Sequence, residues 1–191
     1  MEDKAVRHRN ETEALAEDSP PLSREDWAQI PWRKLEQVVY RLQKRIYRAA
    51  ARGDSEVVHS LQRLLLQSRA ARTRAVRRVT QDNQGKRTAG VDGVKSVAPT
   101  DRLLLVERVR DRQTITPQPT RRVWSPKPGT DEQRPLGIPP MLDRAHQTLV
   151  KSALEPEWEA KFEAHSYGCR PGRSGHDAIE ALFTVICKQP K

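Results

Sequence analysis

Cysteine is nearly missing from this chain. Cys169 and Cys187 are the only two in 191 residues. Two cysteines make no disulfide framework, so a reducing compartment fits. Long apolar runs are missing as well. No stretch of 18 apolar residues exists, which excludes a membrane-spanning helix. The first residues lack the apolar segment of a secretion signal, and their acidic character argues against a mitochondrial presequence. The expected location is therefore the cytoplasm of a bacterium, or an organelle. Aromatic residues make up 5% and hydrophobic residues 36%, so some segments lack the means to fold alone. There is no internal repeat, no Gly-x-x-x-x-Gly-Lys phosphate loop and no Asp-Asp pair.

Cationic charge is present in excess. Net charge is +10, which points to a polyanionic partner. Residues 1–30 carry four Lys/Arg and eight Asp/Glu, a balance of −4. Residues 31–90 carry 15 and four, a balance of +11, and residues 91–191 carry 16 and 13, a balance of +3. Between Gln62 and Gln81 there is no acidic residue, while Arg63, Arg69, Arg72, Arg74, Arg77 and Arg78 all occur. A charge run is usually a solvated helix face with acids interleaved. Six arginines without counter-charge on one helix repel each other, and a nucleic-acid backbone relieves that repulsion.

The chain begins with a polar stretch ending in Ser19-Pro20-Pro21, read as a disordered leader over residues 1–24. Ile30, Leu35, Val38, Val39, Leu42 and Ile46 then recur at helical spacing. Gly53 is the expected stop, and Asp54 or Ser55 the next cap. A second helix is expected from Val57 through Val79, paired with the first as an antiparallel hairpin. Gln81 to Pro99 is a Gly-rich loop, long enough to be functional. Thr100 or Asp101 is expected to cap a short helix over Leu103–Val109. Asp143 is expected to cap another, which Pro156 interrupts or restarts. Trp158 and Phe162 are read as core. Ser174-Gly-His-Asp177 reads as a capping box opening a helix with Ile179, Leu182, Phe183 and Ile186 on one side. Arg170 and Arg173, just before that cap, either meet an anion at the helix N-terminus or pair with acidic neighbours.

The densest information lies in Trp124–Pro140, WSPKPGTDEQRPLGIPP. Its five prolines forbid a helix, and Gly129-Thr130-Asp131 is turn chemistry. Strands are expected at Arg121–Ser125 and Arg134–Ile138. The result is a stiff finger carrying Lys127 before the turn and Arg134 after it. Arg suits phosphate through its planar fork and Lys as a point charge. The alternative is a proline-rich surface loop with solvated charges.

Four motifs occur in a fixed order: Gln81-Asp-Asn-Gln-Gly-Lys-Arg-Thr-Ala-Gly-Val-Asp-Gly93, Ser125-Pro-Lys-Pro-Gly129 with Arg134-Pro-Leu-Gly-Ile-Pro139, Asp143-Arg144, and Tyr167-Gly-Cys-Arg-Pro-Gly-Arg-Ser174 with His176-Asp-Ala-Ile179. Together they resemble the N-terminal domain and first polymerase blocks of group II intron reverse transcriptases and maturases, over roughly residues 25–188. In that family an aromatic residue usually stands where this chain has Cys169. The resemblance implies RNA-templated DNA synthesis, and intron RNA binding for splicing and mobility. It places the Gly-rich segment near the template, adding Lys86 and Arg87 to the candidate RNA contacts. It places Lys127 and Arg134 against the triphosphate of an incoming nucleotide. The family's metal-binding carboxylates fall in blocks that this sequence does not contain. No catalytic or metal-binding residue is therefore assigned, and magnesium is expected only in the complete enzyme.

The expected architecture is α+β. A basic helical region over residues 25–100 precedes a partial fingers region over 101–191 with a small antiparallel hairpin. RNA is the expected partner, with a DNA target for the full-length protein and no membrane. Two alternatives stay open: a non-enzymatic RNA-binding module, and a transposase-type basic DNA-binding protein. His165, Cys169, His176 and Cys187 are separated by three, six and ten residues, which matches no common zinc finger.

Overall fold

The computed structural model describes residues 27–95, 97–110, 116 and 118–188. The leader expected over residues 1–24 lies outside them. Six α-helices and one two-stranded sheet are described, an α+β arrangement.

Helix α1 (Trp32–Ala51) buries Leu35, Val39, Leu42, Ile46 and Ala49, one stripe repeating every three or four residues. It ends as the sequence predicts. Gly53 takes φ +74°, its amide donates to the Ala50 carbonyl, and the Asp54 amide reaches back to that of Ala49. Asp54 then caps α2 (Ser55–Gln67) by accepting from the Val57 amide at 3.2 Å.

The second expected helix does not run through to Val79. Ser68 breaks it, with ψ 123°, and its hydroxyl accepts from the Ala71 amide to start α3 (Arg69–Arg77). Serine stabilises such a start because its side chain replaces a missing carbonyl. The break turns α3 into the centre of the molecule, in contact with α1, α4 and α5. Its inward residues Ala70, Ala71, Ala75 and Val76 are small, which allows that close approach. A π-helical turn, Arg78–Asp82, follows.

Helix α4 (Pro99–Arg110) starts earlier than expected, with Pro99 in the first turn, where a missing amide proton costs nothing. Helix α5 (Met141–Lys161) is capped from a distance. Asp143 is not its cap. Asp92, in the Gly-rich loop, accepts from the Met141 amide at 3.0 Å, while Asp143 accepts from the Gln118 amide at 3.4 Å. The loop is held to α5 at further points. Arg144 donates to the carbonyls of Gly85 (2.9 Å), Thr88 (2.7 Å) and Pro139 (2.8 Å). A Cβ on Gly90 would sit 2.8 Å from the Pro139 oxygen, so no side chain fits there.

Pro156 does not interrupt α5, which passes straight through it. Proline lacks the amide that would bond the carbonyl of Ser152. The Gln43 amide of α1 supplies the missing donor, bonding that carbonyl at 2.9 Å and the Ser152 hydroxyl at 3.1 Å. Pro156 itself is buried. The core is continuous: Met141, Ala145, Leu149 and Ala153 of α5 join the same cluster as α1–α4. The expected boundary at residues 100/101 falls inside α4, which packs into that same core.

Strands β1 (Arg121–Pro126) and β2 (Gln133–Ile138) pair antiparallel, with Ser125 opposite Arg134, closely matching the expected bounds. The hairpin is largely exposed. Helix α6 (Gly175–Lys188) opens on the expected capping box, Ser174 and Asp177 bonding each other's amides. Its apolar side stays exposed: Ile179, Leu182, Phe183 and Ile186 are each more than 60% accessible. Trp158 and Phe162 do contact each other, at 6.3 Å between ring centroids. They are not core, however, being about half exposed.

Candidate nucleic-acid interface

The acid-free arginine run is less free in three dimensions than in one. Arg69 lies 3.6 Å from Glu107 of α4. Arg77 reaches Glu36 of α1 at 3.4 Å and Asp82 at 3.5 Å, and lies over the Trp32 ring at 4.4 Å. Arg72 is buried, and its Nε has no acceptor among the described residues. Desolvation holds its pKa below the ordinary arginine value, with Glu107 opposing. Counter-charge therefore arrives from other elements, which a count along the chain cannot see. Burial withdraws Arg72 from any surface offered to a polyanion. Arg63, Arg74 and Arg78 remain without an ion-pair partner among the described residues, Arg63 and Arg78 exposed and Arg74 half-buried.

The larger free array is on α1 and its C-cap residue, Arg52. Arg33, Lys34, Arg41, Lys44, Arg48 and Arg52 are exposed, and none has an ion-pair partner among the described residues. Glu36, the one acidic residue of α1, is engaged by Arg77. Lys34, Arg41, Arg48 and Arg52 follow at intervals of seven, seven and four. They form one stripe about 27 Å long at 1.5 Å per residue. Reading the sequence by density of arginine missed these residues. The signal was there in their seven-residue repeat beside the apolar stripe.

The opposite flank of α1 borders a groove of about 710 Å³. It is lined by Tyr40, Lys44 and Tyr47 of α1, by Arg74 of α3 and Arg78 of the π-helical turn, and by Lys151, Glu155 and Pro156 of α5. Its carboxylates are already held, Glu155 by Lys151 at 3.3 Å and Glu159 by Arg170 at 2.5 and 3.0 Å.

The remaining sequence candidates divide. Lys127 pairs with Glu132 at 2.5 Å across the hairpin turn. Arg134 is exposed on β2, opposite Ser125, while Lys127 lies just past the end of β1. Lys86 donates to the Gln81 carbonyl, whereas Arg87 is exposed without a partner among the described residues. For Arg170 the structure favours acidic pairing. It is buried, clasps Glu159, and donates to the carbonyls of Glu163 and Ser166 at 2.8 Å. Its hydrogen bonds hold the Glu159 carboxyl below the usual range. Arg173 donates to the Ala164 carbonyl at 2.5 Å and stacks over Tyr167. Arg170 therefore organises the 163–173 loop and is not available to RNA.

Among the described residues no three His, Cys, Asp or Glu side chains converge as a metal site. No described helix is long and apolar enough to cross a membrane.

Comparison with known proteins meets this geometry from outside. Residues 27–109 match the family model described as the N-terminal domain of reverse transcriptase. Protein YkfC of Escherichia coli (strain K12) is 35% identical over 149 residues, covering 76% of this chain and 38% of its own length. Maturase-like protein 1 of Euglena gracilis is 32% identical over 142 residues, covering 73% of this chain and 30% of its own. Group II intron-encoded protein LtrA of Lactococcus lactis subsp. cremoris is 34% identical over 102 residues, covering 52% and 17%. The chain thus spans little more than a third, at most, of these relatives. The basic helices lie within the matched domain, so residues 27–109 match a reverse-transcriptase N-terminal domain, and the chain is similar to that domain's wider relatives named as maturase-like and group II intron-encoded proteins.

Proposed function

We propose that the chain binds intron or template RNA through the cations of α1, together with Arg63, Arg74, Arg78 and Arg87. One observation carries this reading: a helix-long array of exposed cations on a helix whose one acidic residue, Glu36, is already engaged by Arg77. In this reading residues 25–100 supply the RNA contacts, and the hairpin of the 101–191 region supplies a nucleotide contact. Lys127 and Arg134 would hold the incoming triphosphate once Glu132 releases Lys127. RNA-directed DNA synthesis, magnesium and a DNA target belong to a complete enzyme. Among the described residues no metal site is assembled. The compartment in this reading is bacterial cytoplasm or an organelle. The match of residues 27–109 to a reverse-transcriptase N-terminal domain favours this reading over the transposase-type alternative.

The test is equilibrium RNA binding at several salt concentrations. Counterion release makes log affinity fall linearly with log salt. A steep slope that shrinks when α1 cations are neutralised supports the reading. A flat slope overturns it.

A further inference from the structure

We infer that the groove beside α1 takes unpaired nucleotides, with bases stacking on Tyr40 and Tyr47 while Lys44, Arg74 and Arg78 hold phosphates. This rests on the RNA-binding reading and names the form of RNA that the groove selects. Tyr40 and Tyr47 are 62% and 43% exposed, at the mouth of one groove. A single exposed tyrosine needs no explanation. Two tyrosines seven residues apart, with a lysine between them and two arginines lining the same groove from other elements, form the pattern of a single-strand platform: aromatic faces for bases, a cationic track for the backbone.

The charge is complementary to a polyanion. Lys44, Arg74 and Arg78 have no hydrogen-bond or ion-pair partner among the described residues, and the carboxylates of the groove are held by Lys151 and Arg170. Geometry selects against a duplex. The two tyrosines lie about 10 Å apart along the helix axis. That is about three steps of a stacked strand at 3.4 Å per base. Bases that rest on both rings must therefore leave the stack, which a paired strand does not permit without unpairing. The volume, about 710 Å³, lies in the range of roughly 300–1,000 Å³ typical of small-ligand sites.

The experiment uses the 191-residue chain and three labelled probes: a 12-nucleotide single-stranded RNA of mixed sequence, the same strand in a duplex, and an abasic ribose-phosphate strand of equal length. The expected result is that Tyr40→Leu with Tyr47→Leu weakens single-strand binding tenfold or more. Duplex and abasic binding and the salt slope should be unchanged, since every cation remains. Tyr40→Phe with Tyr47→Phe should bind the single strand as the parent does, which separates stacking from loss of structure. Equal weakening on all three probes, or no weakening on any, overturns the inference while leaving the cation-based reading intact. Absence of salt-dependent binding by the parent chain overturns both.

Discussion

Helix α1 carries six Lys/Arg in twenty residues, and α3 carries four in nine. By density α3 is the more basic helix, yet it has less charge to offer. It sits at the centre of the fold, so Arg72 is buried and Arg69 and Arg77 meet acids from α4 and α1. Helix α1 packs on α2, α3 and α5 through a single buried stripe, and exposed cations on its two flanks have no ion-pair partner among the described residues. Availability of charge depends on how much of a helix's circumference is packed, more than on how many cations the sequence writes into it.

The sharpest way to break this contrast is to neutralise each helix in turn. Lys34, Arg41, Arg48 and Arg52 replaced by Gln should reduce the magnitude of the RNA-binding salt slope by about 3, from roughly 0.7 per phosphate contact on a single strand. Arg69→Gln with Arg77→Gln should change it by less than about 1. The reverse ranking would show that α3 is the contact surface.

Stability should respond in the opposite sense. Gln43→Leu leaves the Ser152 carbonyl without its donor, and denaturant unfolding should show a loss of about 1–3 kcal/mol with an unchanged salt slope. Arg77→Ala removes the Trp32 stack and two partly exposed ion pairs, an expected loss of about 1–2 kcal/mol. Arg72→Met should cost under about 1 kcal/mol or even stabilise, because its neighbour Glu107 stays hydrated when the charge is gone. A loss of several kcal/mol would mean that the buried guanidinium is a structural anchor.

The smallest effect concerns pH. The Glu159 carboxyl is held below its ordinary value near 4.5 by Arg170. The contribution of this pair is thus fully present above that ordinary value and is lost as pH falls through the lowered one. Protection factors for hydrogen exchange in residues 163–173, corrected for the intrinsic rate at each pH, should fall below about pH 4.5 while those of α1 hold. A uniform fall across the chain would deny that the pair acts locally.

Much of this was legible in the chain. The turn at Gly53-Asp54, the hairpin register zone and the Ser174–Asp177 box are local chemistry, and local chemistry is written contiguously. The α1 apolar stripe is likewise a matter of spacing. What escaped the reading was every feature with a distant partner. Asp143 looks like a cap, but Asp92 reaches the amide first. Pro156 looks like a break because its compensating donor lies on another helix. Arg170 offered two equal choices until Glu159 was placed beside it. Trp158 looked like core because nothing in its own helix says what stands opposite. Of the interface itself, charge sign and region were readable, whereas the flank that faces outward was not.

The proline of α5 has a consequence for how such sequences drift. Gln43 is needed only because residue 156 is a proline, and Pro156 is tolerated only because Gln43 donates to the carbonyl it leaves bare. The glutamine cannot be lost before the proline without cost. Lineages that replace the proline become free to vary the glutamine, and those that keep the proline should keep both. Two positions with no apparent kinship in the sequence are thereby tied into a single unit of inheritance.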